Sequence, residues 1–398
     1  MSVQKITAVV GAGFGDEGKG MAVDYLCRSA GDSLVVRHNG GAQAGHTVEI
    51  GSSRFVFHQL SSGSFRKADT FLAATFLPDL YKIEEEVQMF CSLSGFAPRI
   101  FSDKNAKVTI IDDVLLNMAL ETSRGDARHG SCGMGINEAV LRNEAGFSLT
   151  VGEAAGMDHE ALTAKLRQIR KEYVHPRMNA LGLENTGEYS EMLKSGSVLK
   201  NAALGMLTGT AFITPAESFA AAAKDRENIV FEGAQGLLLD SEYTRFAPHL
   251  TSSRTGICNP LHICNTAGLR LDETVYVMRS YRTRHGAGPF PGECAPDVIG
   301  KISTDLTNRR NPWQGSIRFG LYPSPEELAA AITDDSRNFS GSRGLFITHL
   351  NETDGFVRFA GEDIPAVDMA DHPVFKGFIS KLILSYTHFS DDCIQAEI

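Results

Sequence analysis

Two glycine-rich segments carry the side chains best suited to chemistry. In VGAGFGDEGKG (10–20), glycines 13, 15 and 18 fit G-x-G-x-x-G, and Gly13 with Gly18 and Lys19 fits the G-x-x-x-x-G-K phosphate loop without its final hydroxyl. Amides at the start of the following helix would cradle phosphate, with Lys19 against its oxygens. Gly20 stands where such loops place the hydroxyl that holds Mg2+, while Asp16 and Glu17 bring carboxylates toward the phosphate position. Asp16 is therefore a candidate for the missing metal ligand or for a base. The plain alternative is a tight turn whose acids are solvated at a helix N-terminus, where the dipole favours them. The second segment, GGAQAGHT (40–47), lowers the weight of that alternative, because it follows the next apolar run and brings His46 to the same edge. A histidine there suits proton donation or phosphate binding. A dinucleotide site would need an acid at the end of that run, which instead reads Arg37, His38, Asn39.

The elements that must position these residues are legible as short, β-branched apolar runs at 6–10, 34–37, 108–111, 229–231, 274–278 and 345–350. Helix-like segments at 19–30, 215–226 and 325–333 lie between several of them. Alternation of this kind predicts an α/β fold with a mainly parallel, doubly wound central sheet, P-loop-like, with its ligand crevice at the carboxyl ends of the strands. The polar, helix-prone stretch at about 154–209 reads as a helical insertion within a single domain spanning 1–398. Segments 284–293 and 309–320 are Pro/Gly-rich loops bearing arginine, suited to gripping a ligand.

At 398 residues and 42% hydrophobic content, the chain can bury a large core without staples. A formal charge of −10 argues against a nucleic-acid or anionic-membrane partner, so an anionic ligand needs a local site. Seven scattered cysteines without C-x-x-C spacing suggest reduced thiols in a cytoplasmic protein. The N-terminal apolar run is too short for a signal peptide, and no stretch reaches 18 apolar residues.

Five motifs in order, GDEGKG (15–20), VVRxxGGxxAGHTV (35–48), FEGAQGxLLD (231–240), PxxTSS (248–253) and TRxGAGPFPxE (283–293), resemble the adenylosuccinate synthetase family from about residue 6 to 355. The resemblance implies a nucleoside triphosphate that phosphorylates the 6-oxygen of a purine nucleoside monophosphate, after which the amino group of L-aspartate displaces phosphate. It assigns Asp16 as base and Mg2+ ligand, Lys19 as stabiliser of the moving phosphoryl group, and His46 as donor to the 6-oxygen. Gly45 matches a carbonyl on Mg2+, and Gly15, Glu17, Gly18, Gly20 and Thr47 fall in the phosphate segments. Gln43 stands where the family has Asn near the nucleotide; Gln235 matches a purine reader and Thr251 a monophosphate contact. Ser131 and Cys132 occupy a phosphate loop, and Arg284 precedes GAGPFP. A homodimer is implied, with Arg142 as the candidate arginine crossing to the neighbour.

Several positions depart from the family. The aspartate-binding arginine run is TNRRNPWQGSIRFG, leaving Arg318, with Arg309 or Arg310, to fork onto a dicarboxylate. The guanine-reading Thr-Lys-x-Asp is THLN, with His349 for Lys and Asn351 for Asp, and SYTHFSDD replaces the closing Gly-Pro segment. Asn offers one acceptor and one donor edge, which suits adenine, so ATP or dATP is the expected donor. Gly133-Met134-Gly135 replaces Gly-Arg-Gly. These changes resemble the branch that converts dGMP toward 2-aminoadenine nucleotides, although that branch often lacks the carboxylate kept here as Asp16. The favoured substrate is (d)GMP; ordinary IMP and GTP chemistry, or an idle nucleotide-binding paralogue, are the alternatives.

Overall fold

The structure, a computed structural model, describes residues 4–29, 31–125, 131, 133–184, 187–302 and 315–396. Its strands are β1 (Lys5–Gly11), β2 (Ser33–Arg37), β3 (His46–Ile50), β4 (Ser53–Phe57), β5 (Asp69–Leu72), β6 (Ile100–Asp103), β7 (Thr214–Ala216), β8 (Asn228–Gly236), β9 (Glu273–Arg279), β10 (Arg282–Arg284), β11 (Arg318–Gly320), β12 (Ser342–Thr348), β13 (Phe356–Arg358), β14 (Asp363–Pro365), β15 (Lys381–Leu384) and β16 (Ile394–Ala396). A ten-stranded sheet runs β16-β15-β12-β9-β1-β8-β2-β5-β6-β7. Every neighbouring pair in it is parallel except β15 with β16. Parallel strands are covered on both faces and so read as continuous apolar runs; Val9, Val35, Val230, Val275 and Phe346 have no exposed surface. Burial of each such side chain contributes about 1.5–3 kcal/mol.

From β1 the chain moves outward through β2, β5, β6 and β7, returns to insert β8 beside β1, then builds the other half through β9, β12, β15 and β16. The reversal falls at β1, whose carboxyl end therefore borders the crevice expected at a switch point. There β1 runs into the glycine loop and helix α1 (Lys19–Cys27). Gly18, the residue before α1, has φ 96°, and a Cβ on it would stand 3.0 Å from Thr348 Cγ2, so strand β12 closes on the loop only because the position is glycine.

The apolar run at 108–111 is not a strand. It leads into helix α3 (Ile111–Arg124), which follows α2 (Ile83–Ser94); Asp113 accepts from the Ile110 amide at 3.0 Å, and acids in the first turn favour helix. The stretch at 215–226 divides between β7 and a short helix, Phe219–Ala223, capped by Ser218. Strands β5, β6, β15 and β16 lie outside the runs read from sequence, although β15 carries the short apolar run 382–384. Beyond α4 (Ile136–Glu144), helices His159–Ile169, His175–Ala180, Glu188–Lys194 and Gly196–Thr210 pack with α2 and α3 around a second apolar core containing Phe90, Leu116, Leu166 and Met206. Arg170 ties this layer to α3 through a buried pair with Asp112, its Nε donating at 2.9 Å.

Candidate active site

A cavity of about 1220 Å3 opens at the carboxyl ends of the central strands. The glycine loop enters it from β1, the His46 segment from β2, Gln235 from β8, Arg279 from β9 and His349 from β12. That volume is ample for ligands of nucleotide size.

The two acids of the loop point in opposite directions. Glu17 turns inward and is 3% exposed: it accepts from the amides of Gly13 at 3.1 Å and Gly15 at 2.7 Å and pairs with Lys19 Nζ at 2.6 Å. The expected ligand contact of Glu17 is thus corrected; its carboxylate occupies amides that a phosphate cradle would otherwise use and neutralises Lys19 within the fold. Asp16 faces the cavity. Its backbone is left-handed, φ 62°, its carbonyl accepts from Arg279 Nε at 2.5 Å, and its Oδ2 lies 2.9 Å from His285 Nε2. Burial alone would raise the Asp16 carboxyl, but the His285 hydrogen bond and charge, with Arg279 and Lys19, hold it down at about 2. It is a carboxylate at any working pH.

His46 begins β3 and packs against α1, where a Cβ on Gly20 would meet His46 Cβ at 3.0 Å. Its Nδ1 is 2.5 Å from Glu232 Oε1, and Glu232 also accepts from the Ser62 amide at 3.1 Å and from the Ser62 hydroxyl. This leaves Nε2 as the ring nitrogen available to a ligand. Burial depresses the His46 pKa, opposed by Glu232 and reinforced by Arg37 and Lys19. Burial would raise Glu232, but Arg37, His46 and Ser62 outweigh it and lower the carboxyl to about 2.

Gly15, Gly18, Gly20, Gln43, Gly45, Thr47, Ser131, Gln235, Thr251 and Arg284 all line the same cavity. Gln235 is left-handed at φ 65°. Ser131 donates to Asn117 Oδ1 at 2.7 Å and accepts from the Gly133 amide at 3.1 Å. Asn117, Glu121 and Arg124 bring one face of α3 to that end of the cavity. Cys132, Arg309 and Arg310 lie outside the described residues. Arg284 is no surface residue: it is 1% exposed, stands 4.5 Å over the Phe14 ring, and donates to Pro289 O at 2.7 Å and Ala287 O at 3.1 Å. Burial, then Arg318 and Arg282, lower its pKa to about 10.

Three expectations fail for geometric reasons. Arg318 does not line the cavity; it pairs with Glu293 at 2.8 and 2.5 Å and donates to Gly288 O at 2.9 Å and Gly286 O at 3.2 Å. Asn351 is exposed and outside the cavity, because His349 at φ 60° starts a tight turn that presents His349 and Glu352 instead. Arg142 cannot cross to a neighbour: it is fully buried, held by Asp113 at 2.9 Å and by the carbonyls of Val108 at 2.8 Å and Phe147 at 2.6 Å.

Glu232, Arg279, His285 and Glu352 were not singled out from sequence. Glu232 lies inside the FEGAQG motif, and an acid at the end of an apolar strand was its signal; the others are brought in by strand order. Among the described residues no cluster of three His, Cys, Asp or Glu could hold a metal. Asp16 and the Gly45 carbonyl offer a sparse set of hard oxygens on one cavity, which fits Mg2+, an ion that takes most of its ligands from water and phosphate. Cys27, Cys91, Cys258, Cys264, Cys294 and Cys393 are free thiols, and no described helix is long and apolar enough to cross a membrane.

Residues 8–315 match the family model described as Adenylosuccinate synthetase. The adenylosuccinate synthetase of Buchnera aphidicola is 29% identical over 332 residues, 81% of this chain and 75% of its own length. That of Pseudomonas paraeruginosa is 32% identical over 74% of this chain, which spans 66% of that relative's length. Among solved structures, fully ligated adenylosuccinate synthetase of Plasmodium falciparum superposes with TM-score 0.68 at 18% identity, covering 98% of this chain and 87% of its own. Succinoaminodeoxyadenylate synthetase of cyanophage S-2L, bound to dGMP and dATP as an energy donor, gives TM-score 0.63 at 15% identity, covering 100% and 96%.

Proposed function

The chain belongs to the adenylosuccinate synthetase family of carbon–nitrogen ligases, and we propose that it joins L-aspartate to C6 of a purine nucleoside monophosphate, with (d)GMP preferred over IMP and ATP or dATP as donor. The observation that carries the ligase reading is the convergence of Asp16 and His46, from the segments after β1 and β2 on either side of β8, on one cavity. Asp16, ionised, would take the N1 proton of the 6-oxopurine, shifting charge to O6. O6 then attacks the γ-phosphorus; the O6–P bond forms as the bond to the nucleoside diphosphate breaks. The aspartate amine next adds at C6, loses a proton, and expels inorganic phosphate with the former 6-oxygen. His46, with Nδ1–H given to Glu232, would be protonated when it acts, the Glu232 carboxylate favouring that cation against burial, and would donate Nε2–H to that oxygen in both stages. Asp16 and the Gly45 carbonyl would hold Mg2+, which supplies charge neutralisation for the transferred phosphoryl group. A cytoplasmic homodimer accompanies this reading.

The preference for (d)GMP rests on Met134 in place of arginine and on the replaced guanine-reading segment; the cyanophage enzyme offers a precedent in the same fold for binding dGMP with dATP. One observation favours the ordinary IMP and GTP pair: Glu352 lines the cavity, and a carboxylate can accept from both the N1–H and 2-amino group of a guanine donor. The test is incubation with aspartate, Mg2+, each of IMP, GMP and dGMP, and each of ATP, dATP and GTP, with products identified by mass. The expected result is an N6-succinyl-2-aminopurine nucleotide with ATP or dATP. Turnover of IMP with GTP alone would overturn the specificity, and no product from any pair would overturn the ligase reading.

A further inference from the structure

His285 is the first residue beyond β10 and opens the loop that returns past Gly286 and Gly288. Two arginines clasp that loop by its carbonyls. Arg284 donates to Pro289 O at 2.7 Å and Ala287 O at 3.1 Å, while Arg318 donates to Gly288 O at 2.9 Å and Gly286 O at 3.2 Å. A loop so fixed holds His285 in place, with its Nε2 at 2.9 Å from Asp16 Oδ2. The opposite end of Asp16 is held by Arg279 at the backbone carbonyl, at 2.5 Å. Asp16 is thus gripped twice, by β9 at its main chain and by the loop after β10 at its carboxylate.

We propose that His285 is the positioning residue for Asp16: its Nε2–H donates to Oδ2 and fixes the carboxylate so that Oδ1 is the oxygen offered to the substrate N1–H. The proposal rests on the ligase reading above. A base must be held to within about 0.5 Å of its productive geometry, and misplacement by about 1 Å costs on the order of 10²-fold in rate. Asp16 has a left-handed backbone, φ 62°, within a glycine-rich loop, and His285 Nε2 lies 2.9 Å from its carboxylate. The same geometry gives Arg318 a different part from the one its sequence position suggests: it braces the loop that carries His285.

The test compares His285→Ala, His285→Leu and His285→Gln in the full-length protein. Alanine and leucine are expected to lower kcat about 10²-fold while KM for the monophosphate moves less than about 3-fold, whereas glutamine, whose amide N–H can take the place of Nε2–H, restores most of kcat. A double-mutant cycle separates positioning from general structure: with Asp16→Asn already present, His285→Ala should cost little further. Unchanged kcat in both alanine and leucine variants overturns the proposal, as does a full additional loss in the Asp16→Asn background. Failure of the ligase reading would be distinct, because the wild-type protein would then form no succinyl nucleotide from any substrate pair.

Discussion

The centre of the cavity and its rim are built on different principles. At the centre, where β1, β2 and β8 end, Glu17 is paired with Lys19 and His46 with Glu232, both buried, while Asp16 pairs with His285. Charge withdrawn from water is costly unless matched, so each group fixes its neighbour and the arrangement is preorganised without a ligand. At the rim, Arg318 is turned into its own loop and Asn351 stands in solvent. Arg318, half-buried, pairs with the exposed Glu293, and Asn351 is uncharged, so neither is locked by a buried charge match and their positions follow the loops that bear them. The contrast sets a centre of buried, matched groups against a rim whose side chains are engaged with their own loop or with solvent.

The sharpest way to break this contrast is Asp16→Asn, which removes the proposed base while keeping its size. Turnover should fall by about 10²–10⁴-fold with nucleotide binding retained, read by steady-state kinetics and calorimetry. Next in size is Glu17→Ala, which leaves Lys19 buried without its partner. It should destabilise the fold by about 3–5 kcal/mol in denaturant titration, where a solvated loop acid would cost almost nothing.

Glu232 links the centre to pH. Its folded pKa, about 2, lies below the ordinary glutamate value, so its stabilisation is present above about pH 4.5 and is lost as pH falls toward 2. Wild type should lose on the order of 3 kcal/mol through that window by this group. The acid-unfolding curve of Glu232→Gln should be flatter there, and one parallel to wild type would remove Glu232 from the account.

Effects at the rim should be smaller. Arg318→Ala loosens the loop bearing His285, so kcat should drop by about tenfold or less with KM for aspartate unchanged; a large rise in that KM would return Arg318 to the substrate. Asn351→Ala should alter neither donor preference nor rate by more than about twofold, as for ordinary surface positions. A switch in donor preference would show that the turn after β12 rearranges when a base binds.

The sequence by itself determined the parallel sheet and the two glycine-rich segments at its edge, for local reasons: buried strands read as apolar runs, and the glycine pattern of 10–20 and the start of β3 at His46 are set by backbone requirements within a few residues. Tertiary structure alone decided which loop acid faces the cavity and which is tied into the loop. Asp16 and Glu17 are adjacent and chemically alike; only the strands closing around them send Glu17 to Lys19 and the loop amides, and Asp16 to the cavity. Arg279, His285 and Glu352 reach the site from β9, from the loop after β10 and from the turn after β12, a convergence that no spacing along the chain records. Arg142, Arg318 and Asn351 were misplaced for the same reason: a side chain's direction depends on what it packs against, and a motif register specifies position but not surroundings.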